Sequence, residues 1–267
     1  MSEQRSSTEP APPRFEHVRD TFQNHHDHFD DVSGEIALQQ LETEQGIKRQ
    51  YSGRILYELL QNALDSADSE ILVELTETTS TGGGSEYALV VANDGDGLTI
   101  APDYNYTIPP ENRDGRRPDF NALCSIRTSN KSADESVGNK GIGFRSTFAV
   151  GEYARVWSRF EQRPGWWGIE LHLPIDSDTW VRRLRDPEVE RGHESFLEAQ
   201  RPRTTADERR PSFHFPLPLR SDGSATPSGL GKLNGLNTAV VVPIESDHLD
   251  SLRHSFRQLR ANHLFML

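Results

Sequence analysis

Three polar residues in the first quarter of the chain have the types and spacing of a magnesium–phosphate site. Glu58, Asn62 and Asp65 occur four and three residues apart, so they share one face of a helix. Mg²⁺ prefers oxygen ligands and keeps several waters, so the Asn62 carbonyl can supply one ligand. Glu58, one helical turn away, can orient or deprotonate an attacking water. Taken alone, the triplet is better explained as a solvated polar face.

A second polar stretch directly follows a strand candidate and contains Asn93, Asp94, Gly95, Asp96, Gly97 and Leu98. Asn, Asp and Gly dominate turns, so an ordinary strand-ending turn is one interpretation. The functional interpretation is a polar strand end that meets the edge of a nucleobase, with glycines that let the backbone approach closely.

A third segment is rich in glycine, with Gly138, Gly141 and Gly143 just before an apolar helix candidate that starts at Phe144. Exposed backbone amides beside a helix N-terminus form an anion site suited to phosphates. The segment is not a P-loop, because no Gly-Lys-Ser/Thr closes it. A flexible hinge is the alternative interpretation.

In this order, the three segments resemble the signature boxes of the GHKL family of ATP-binding domains, which includes gyrase, the ninety-kilodalton heat-shock chaperone, histidine kinases and MutL. Those boxes are a Glu-x-x-x-Asn helix, an Asp-x-Gly-x-Gly turn and a Gly-x-x-Gly-x-Gly-Phe-x-Ser loop. The longer string 125–144 is most similar to the sacsin and NO VEIN group of the chaperone branch. Thr238 matches the family's late threonine, and the resemblance covers roughly 35–245.

The resemblance implies that ATP and magnesium are the cofactors, with Asn62 as magnesium ligand and Glu58 as general base. It also places Asp65 near the nucleotide. The adenine pocket would contain Asn93, Asp94, Gly95, Gly97, Leu98 and Thr238. A lid over about 99–137 would bring Thr128, Ser129 and Lys131 to the nucleotide. The phosphates would be held by Gly138, Asn139, Lys140, Gly141, Ile142, Gly143 and Phe144.

One position departs from the family's pattern, because its adenine-reading aspartate aligns with Asn93 rather than Asp94. A carboxylate only accepts hydrogen bonds, whereas an amide has an accepting oxygen and a donating nitrogen. Flipping the amide could satisfy adenine or guanine, so we expect adenine binding with weaker discrimination against guanine. A misalignment by one residue, with Asp94 as the base reader, is the alternative.

The elements that must position these residues follow in the order helix, hairpin, helices and strands, without βαβ alternation, and this order predicts an α+β fold. The spacing of apolar residues predicts a helix over 52–67 with Ser52 as a candidate N-cap, followed by a hairpin at 71–75 and 87–91. Further helices are predicted at 15–44 (two short helices), 120–126, 178–200 and 246–265, and one more runs from the glycine-rich segment to Val150. Further strands are predicted at 153–160, 167–173 and 238–244. This order favours a two-layer sandwich with helices on one face of a mixed, mostly antiparallel sheet, over a doubly wound sheet. In the GHKL family, which the sequence resembles, this arrangement is called the Bergerat ATP-binding fold.

The domain organisation follows from composition and motif placement. Residues 1–14 are predicted to be a disordered leader, 15–245 the ATP-binding domain with an insert or long loop at 201–235, and 246–267 a helix that leads into further domains. The pair Trp166–Trp167 is expected in a strand core, and Cys124 is expected to be a buried thiol. The histidines of 24–28 have the wrong spacing for one metal on a helix.

Composition limits the classes of partner. The net charge of −12 gives no indication of nucleic-acid binding, and no apolar run is long enough to span a membrane. The single cysteine cannot form an internal disulfide, which fits a reducing cytoplasm. By resemblance, the chain is a slow, magnesium-dependent ATPase that acts as a conformational switch, with ATP, other domains of the same protein and a second copy in a homodimer as partners. A nucleotide-binding scaffold without hydrolysis is the alternative.

Overall fold

A computed structural model describes residues 18, 54–79, 85–98, 119–124, 144–160, 163–172, 216–219 and 233–262. The predicted leader and the helix over 178–200 lie outside these residues, as do the helices over 15–44 apart from Val18, which is helical and buried. Within the described ranges, no helix is long and apolar enough to cross a membrane.

The described strands form one six-stranded antiparallel sheet, so the fold is α+β. The strands are β1 (Ile71–Thr79), β2 (Ser85–Asn93), β3 (Tyr153–Phe160), β4 (Arg163–His172), β5 (Leu217–Leu219) and β6 (Thr238–Ile244). Their order across the sheet is β1-β2-β6-β3-β4-β5. The expectation of a mixed sheet is wrong for these strands, because β6 enters between two hairpins and runs antiparallel to both of its neighbours.

Both hairpins extend beyond their predicted apolar runs. The β1–β2 ladder continues to the pair Thr79–Ser85, and β4 begins at Arg163 rather than at Trp167. Backbone hydrogen bonds continue a ladder past the point where alternating hydrophobicity ends, so the apolar pattern underestimates strand length. Strands β3 and β6 have the predicted bounds.

Two helices pack against one face of the sheet, and the core lies between the two layers. They are α1 (Ile55–Leu64) and α3 (Leu249–Asn262), and a short α2 (Asp119–Leu123) adds Phe120 to the same core. Helix α1 buries Ile55, Leu56, Leu59 and Ala63. Each fully buried leucine contributes about 1.5–3 kcal/mol, so this face fixes the helix on the sheet. The predicted N-cap Ser52 is wrong, because the N-cap position is Arg54, which makes no side-chain cap.

The opposite face of the sheet carries a second apolar cluster. Val90 and Ala92 of β2 point into it, whereas Leu89 and Val91 point to the helices, as expected for a central strand that is buried on both faces. Other members are Trp157, Trp166, Leu219, Leu233, Leu236 and Ala239. The predicted insert 201–235 is therefore wrong in part: it contains β5, and Leu233 belongs to a core. Trp166, Trp167 and Cys124 are buried as predicted.

Gly168 on β4 makes room for the Trp157 ring on β3, its partner in register. A Cβ built on Gly168 would lie 2.5 Å from Cε3 of Trp157, and that ring is itself buried. We expect Gly168→Ala to lower the free energy of unfolding by about 1–3 kcal/mol, the usual cost of overpacking. Chemical denaturation measures this cost. In a Trp157→Leu background, the same substitution should cost less. Equal costs in the two backgrounds would rule out the ring as the cause.

Candidate functional site

The turn from Asn93 to Leu98 is held in place by two close backbone approaches. A Cβ on Gly95 would lie 1.7 Å from the carbonyl oxygen of Ser66, just after α1, so no side chain fits there. Gly97 has a φ of +80°, and its Cβ would lie 2.3 Å from the carbonyl oxygen of Arg159. Both glycines are therefore required by space, and the second also by backbone conformation. The turn is wedged between the end of α1 and the end of β3.

Asp94 fastens this turn to the connection between α1 and β1. Its carboxylate accepts hydrogen bonds from the hydroxyl of Ser69 at 2.6 Å, from the Ser69 amide at 3.0 and 3.1 Å, and from the Asp68 amide at 3.0 Å. These bonds stabilise the charged carboxylate, so they hold the pKa of Asp94 well below its usual range, with the Ser69 hydroxyl as the largest cause. Asp94, predicted to lie near the nucleotide, thus has its carboxylate committed to a structural anchor.

Asn237, which the sequence analysis did not single out, links the turn to the sheet. Its side-chain nitrogen donates to the carbonyl oxygens of Asp94 at 3.0 Å and Gly95 at 2.9 Å. Its backbone amide donates to the carbonyl of Asn93, and its own carbonyl accepts from the amide of Arg159, both at 2.8 Å. One residue before β6 thereby joins the ends of β2 and β3. The sequence does show an asparagine of the kind found in turns just before a strand. It does not show the partner, because Asp94 is 143 residues away.

A row of polar side chains crosses the sheet at this end, on the face that carries the helices. Asn93, Thr238 and Ser158 are neighbours in register on β2, β6 and β3. Asn93 is buried, and its side-chain oxygen accepts a hydrogen bond from the Gly95 amide at 3.1 Å. The Ser158 hydroxyl accepts one from the Leu98 amide at 2.9 Å. The signal for Ser158 was a small polar residue on the apolar side of β3, after Ala154 and Val156.

The polar residues of α1 lie on one flank of the helix, beside its buried face. Glu58 and Asn62 are partly exposed, and Asp65 at the C-cap is exposed. Asn62 lies about one helical turn, or about 5.4 Å, before Ser66, the residue whose carbonyl meets Gly95. Helix α1 thus leads from the predicted general base and metal ligand to Ser66, the residue that meets the 93–98 turn.

The segment after the glycine-rich stretch is a 3₁₀-helix from Phe144 to Ala149, not the predicted α-helix to Val150. Five consecutive residues from Ser146 to Val150 are buried, so the segment has no solvent face of the kind an amphipathic helix needs. It contacts α1 and β3, and Phe144 packs against the main core. Within the described part of the chain, the buried hydroxyls of Ser146 and Thr147 have no hydrogen-bond partner.

The remaining predicted site residues lie outside the described residues. They are Thr128, Ser129, Lys131, Gly138, Asn139, Lys140, Gly141, Ile142 and Gly143. The described contacts join the end of α1 to the 93–98 turn, Asn93 to Thr238, and the 3₁₀-helix to α1. The phosphate loop itself remains a prediction from sequence.

A second group with metal-ligand chemistry lies at the far end of β6. Ligand atoms of Glu245, Asp247 and His248 all lie within 4.8 Å of one another. Strand β6 has 7 residues, so at about 3.3 Å per residue this group is roughly 20 Å from the polar row. It is separate from the site built around Asn93.

No protein-family model matches this chain, and a search of the curated proteins finds no match. The chemistry open to the site therefore follows from its own groups. These are an amide and two hydroxyls on the sheet, and an amide and carboxylates on the α1 flank.

The Asp94 anchor makes the stability of the fold depend on pH. Because folding lowers the pKa of Asp94, its contribution is fully present above the pKa of an unfolded aspartate, about 3.9, and is lost as the pH falls below that value. We expect Asp94→Asn to lower the melting temperature at pH 7, and the difference from the parent to shrink as the pH falls below 4. Asp96→Asn removes a charge from the same turn and serves as the control. A constant difference from pH 7 to pH 2.5 would show that the carboxylate charge is not what stabilises the turn.

Proposed function

We propose that this chain is an ATP-binding module of the GHKL type, which binds magnesium-ATP and hydrolyses it slowly. It acts as a conformational switch within a larger protein. Closure of a lid formed within about 99–137, outside α2, which packs into the core, changes a surface that contacts other domains of that protein or a second copy of the chain. The negative net charge argues against nucleic acid as the partner.

The observation that carries this proposal is the meeting of three separate segments at one end of the sheet. The α1 flank, the 93–98 turn and Thr238 are remote in sequence, yet Gly95 touches the end of α1, and Asn93 pairs with Thr238. These are the segments that resemble the family's Glu-x-x-x-Asn helix, its Gly-rich turn and its late threonine. Coincidental motifs would have no reason to converge, so their convergence supports a common ligand.

The architecture supports the same proposal. An antiparallel sheet with α1 and α3 on one side is compatible with the two-layer sandwich of the Bergerat fold. The polar row of Asn93, Thr238 and Ser158 lies on that side.

Roles within the site follow from chemistry and position. The Asn62 carbonyl is an oxygen donor on a partly exposed flank, which fits one ligand of a magnesium ion that keeps most of its waters. Magnesium would neutralise phosphate charge. Glu58 lies one helical turn before Asn62, and so further from the 93–98 turn, which is the proposed base site. From this position Glu58 accepts a proton from a water near the terminal phosphate. The 3₁₀-helix, which begins directly after the glycine-rich segment in sequence, contacts α1.

Removing the general base should stop turnover while leaving binding intact. We expect Glu58→Ala to change ATP affinity by only a few fold and to lower phosphate release by about 100-fold or more, the scale of a positioned base. Glu58→Gln should behave in the same way, because an amide cannot take the proton. Glu152→Ala removes an exposed carboxylate elsewhere as control. Parent-like hydrolysis by Glu58→Ala would remove Glu58 from the mechanism. ATP binding by the parent without hydrolysis would favour the scaffold alternative.

Removing the metal ligand should abolish the magnesium dependence of binding. We expect Asn62→Ala to lose the stabilisation that ATP gives the parent in a melting assay with magnesium, because a methyl group offers no oxygen. Asn62→Asp keeps an oxygen ligand and should retain the effect. Equal stabilisation of Asn62→Ala and the parent would make Asn62 a structural residue.

A further inference from the structure

Asn237 donates hydrogen bonds to three consecutive carbonyl groups of the 93–98 turn. Its backbone amide bonds the carbonyl of Asn93 at 2.8 Å, and its side-chain nitrogen bonds the carbonyls of Asp94 at 3.0 Å and Gly95 at 2.9 Å. Both partners of the side chain are acceptors, so the NH₂ group of Asn237 must face the turn. One residue before β6 therefore sets the direction in which three successive peptide groups of the turn point.

One of these peptide groups connects Asn237 to the side chain of Asn93. The carbonyl of Asp94 and the N–H of Gly95 belong to the same planar trans unit, so they point in opposite directions. Asn237 bonds the carbonyl, and the side-chain oxygen of Asn93 accepts a bond from the N–H at 3.1 Å. Rotating the plane away from either partner breaks both bonds. The side chain of Asn237 thus orients the side chain of Asn93 through one peptide plane.

Two other contacts restrain the turn, but neither holds this peptide plane from its carbonyl side. The carbonyl of Ser66 sets how closely Gly95 approaches α1, and the hydroxyl of Ser69 holds the carboxylate of Asp94. Among the described residues, only Asn237 donates to the backbone carbonyls of Asp94 and Gly95. The orientation of the plane therefore depends on this one side-chain amide.

Truncation of Asn237 to alanine separates this role from its role in the sheet. An alanine keeps the backbone amide that bonds the carbonyl of Asn93 and the backbone carbonyl that accepts from the amide of Arg159, both at 2.8 Å. The ends of β2, β3 and β6 therefore stay joined in the variant. What is lost is the pair of side-chain bonds to the turn.

Asn93 retains the groups that recognise a base after its bond to Gly95. Its oxygen keeps a second lone pair, and its NH₂ group can donate, so the amide can accept from the amino group of adenine and donate to a ring nitrogen. We infer that Asn237 is a positioning residue for base recognition, which acts on nucleotide affinity through Asn93 and leaves phosphate binding unchanged. The inference rests on the proposed nucleotide-binding function. A residue that only stabilised the fold would affect the base and the phosphates alike.

A double-mutant cycle on the full chain tests the inference, with the affinity for magnesium-ATP measured by calorimetry. We expect Asn237→Ala and Asn93→Ala each to weaken binding by roughly tenfold, the scale of one net hydrogen bond. Because Asn237 acts through Asn93, the double variant should also lose roughly tenfold, rather than the product of about a hundredfold. Inorganic tripolyphosphate has no base, so Asn237→Ala should bind it to the same extent as the parent. Asn234→Ala, at an exposed asparagine three residues earlier, is the matched control and should keep the parental ATP affinity.

The outcomes separate the inference from the function beneath it. Parental ATP affinity in either single variant, a multiplicative loss in the double variant, or an equal loss of tripolyphosphate affinity overturns the inference and leaves the proposed function standing. If the parent binds no ATP, the proposed function fails, and the inference fails with it. Should Asn237→Ala not fold, Asn237→Asp replaces it, since a carboxylate keeps the shape of the side chain and cannot donate. If neither variant folds, Asn237 is a structural residue and the inference is overturned.

Discussion

The candidate site depends on one close contact, between the carbonyl of Ser66 and the Cα of Gly95. It leaves no space for a side chain, so it fixes how near the 93–98 turn lies to the end of α1. With the turn this close to α1, the Ser69 hydroxyl donates a hydrogen bond to Asp94, and the Asn237 side chain donates one to the Gly95 carbonyl. Because the contact is between backbone atoms, side-chain rearrangement cannot relieve it. The glycine is therefore a condition for every other interaction in this region.

The sheet topology explains why such a contact forms between remote segments. Strand β6 enters between the β1–β2 and β3–β4 hairpins, so its first residue is flanked by the last residue of β2 and by Ser158 of β3. Pro243 lies near the other end of β6, beyond its last described pair with β3, Arg155–Val241, where a missing N–H removes no bond to that strand. Strand β6 is paired on both sides at the end that carries the polar row, whereas beyond Val241 only its pairing with β2 continues. The polar groups are thus held by the better-paired half of β6.

Sequence reasoning predicted the parts of this arrangement that are governed by local pattern. Strands β3 and β6 match their predicted bounds because their apolar runs end where pairing ends, and α1 lies within its predicted span because its apolar face is continuous. The 3₁₀-helix and β5 were not predicted correctly, since burial from several sides overrides local preference there. The N-cap was not predicted correctly either, because the helix begins after the exposed Arg54, which makes no side-chain cap. Asn237 and Ser69 escaped detection for a different reason. Their partners are side chains and carbonyls brought near only by the fold, and no spacing rule encodes them.

The asparagine at position 93 shows how a departure from a family's pattern depends on its surroundings. An uncharged amide is less costly to bury than a carboxylate, and Asn93 is buried. Yet an amide also has a direction, which a carboxylate with two equivalent oxygens lacks. The same Gly95 amide that would satisfy an aspartate without consequence assigns the oxygen and nitrogen of Asn93 to opposite sides. A substitution that conserves shape thus gives the bond a direction, with the oxygen toward Gly95 and the NH₂ group turned away from it. The same backbone amide that belongs to the constrained turn therefore also orients the one buried amide of the polar row.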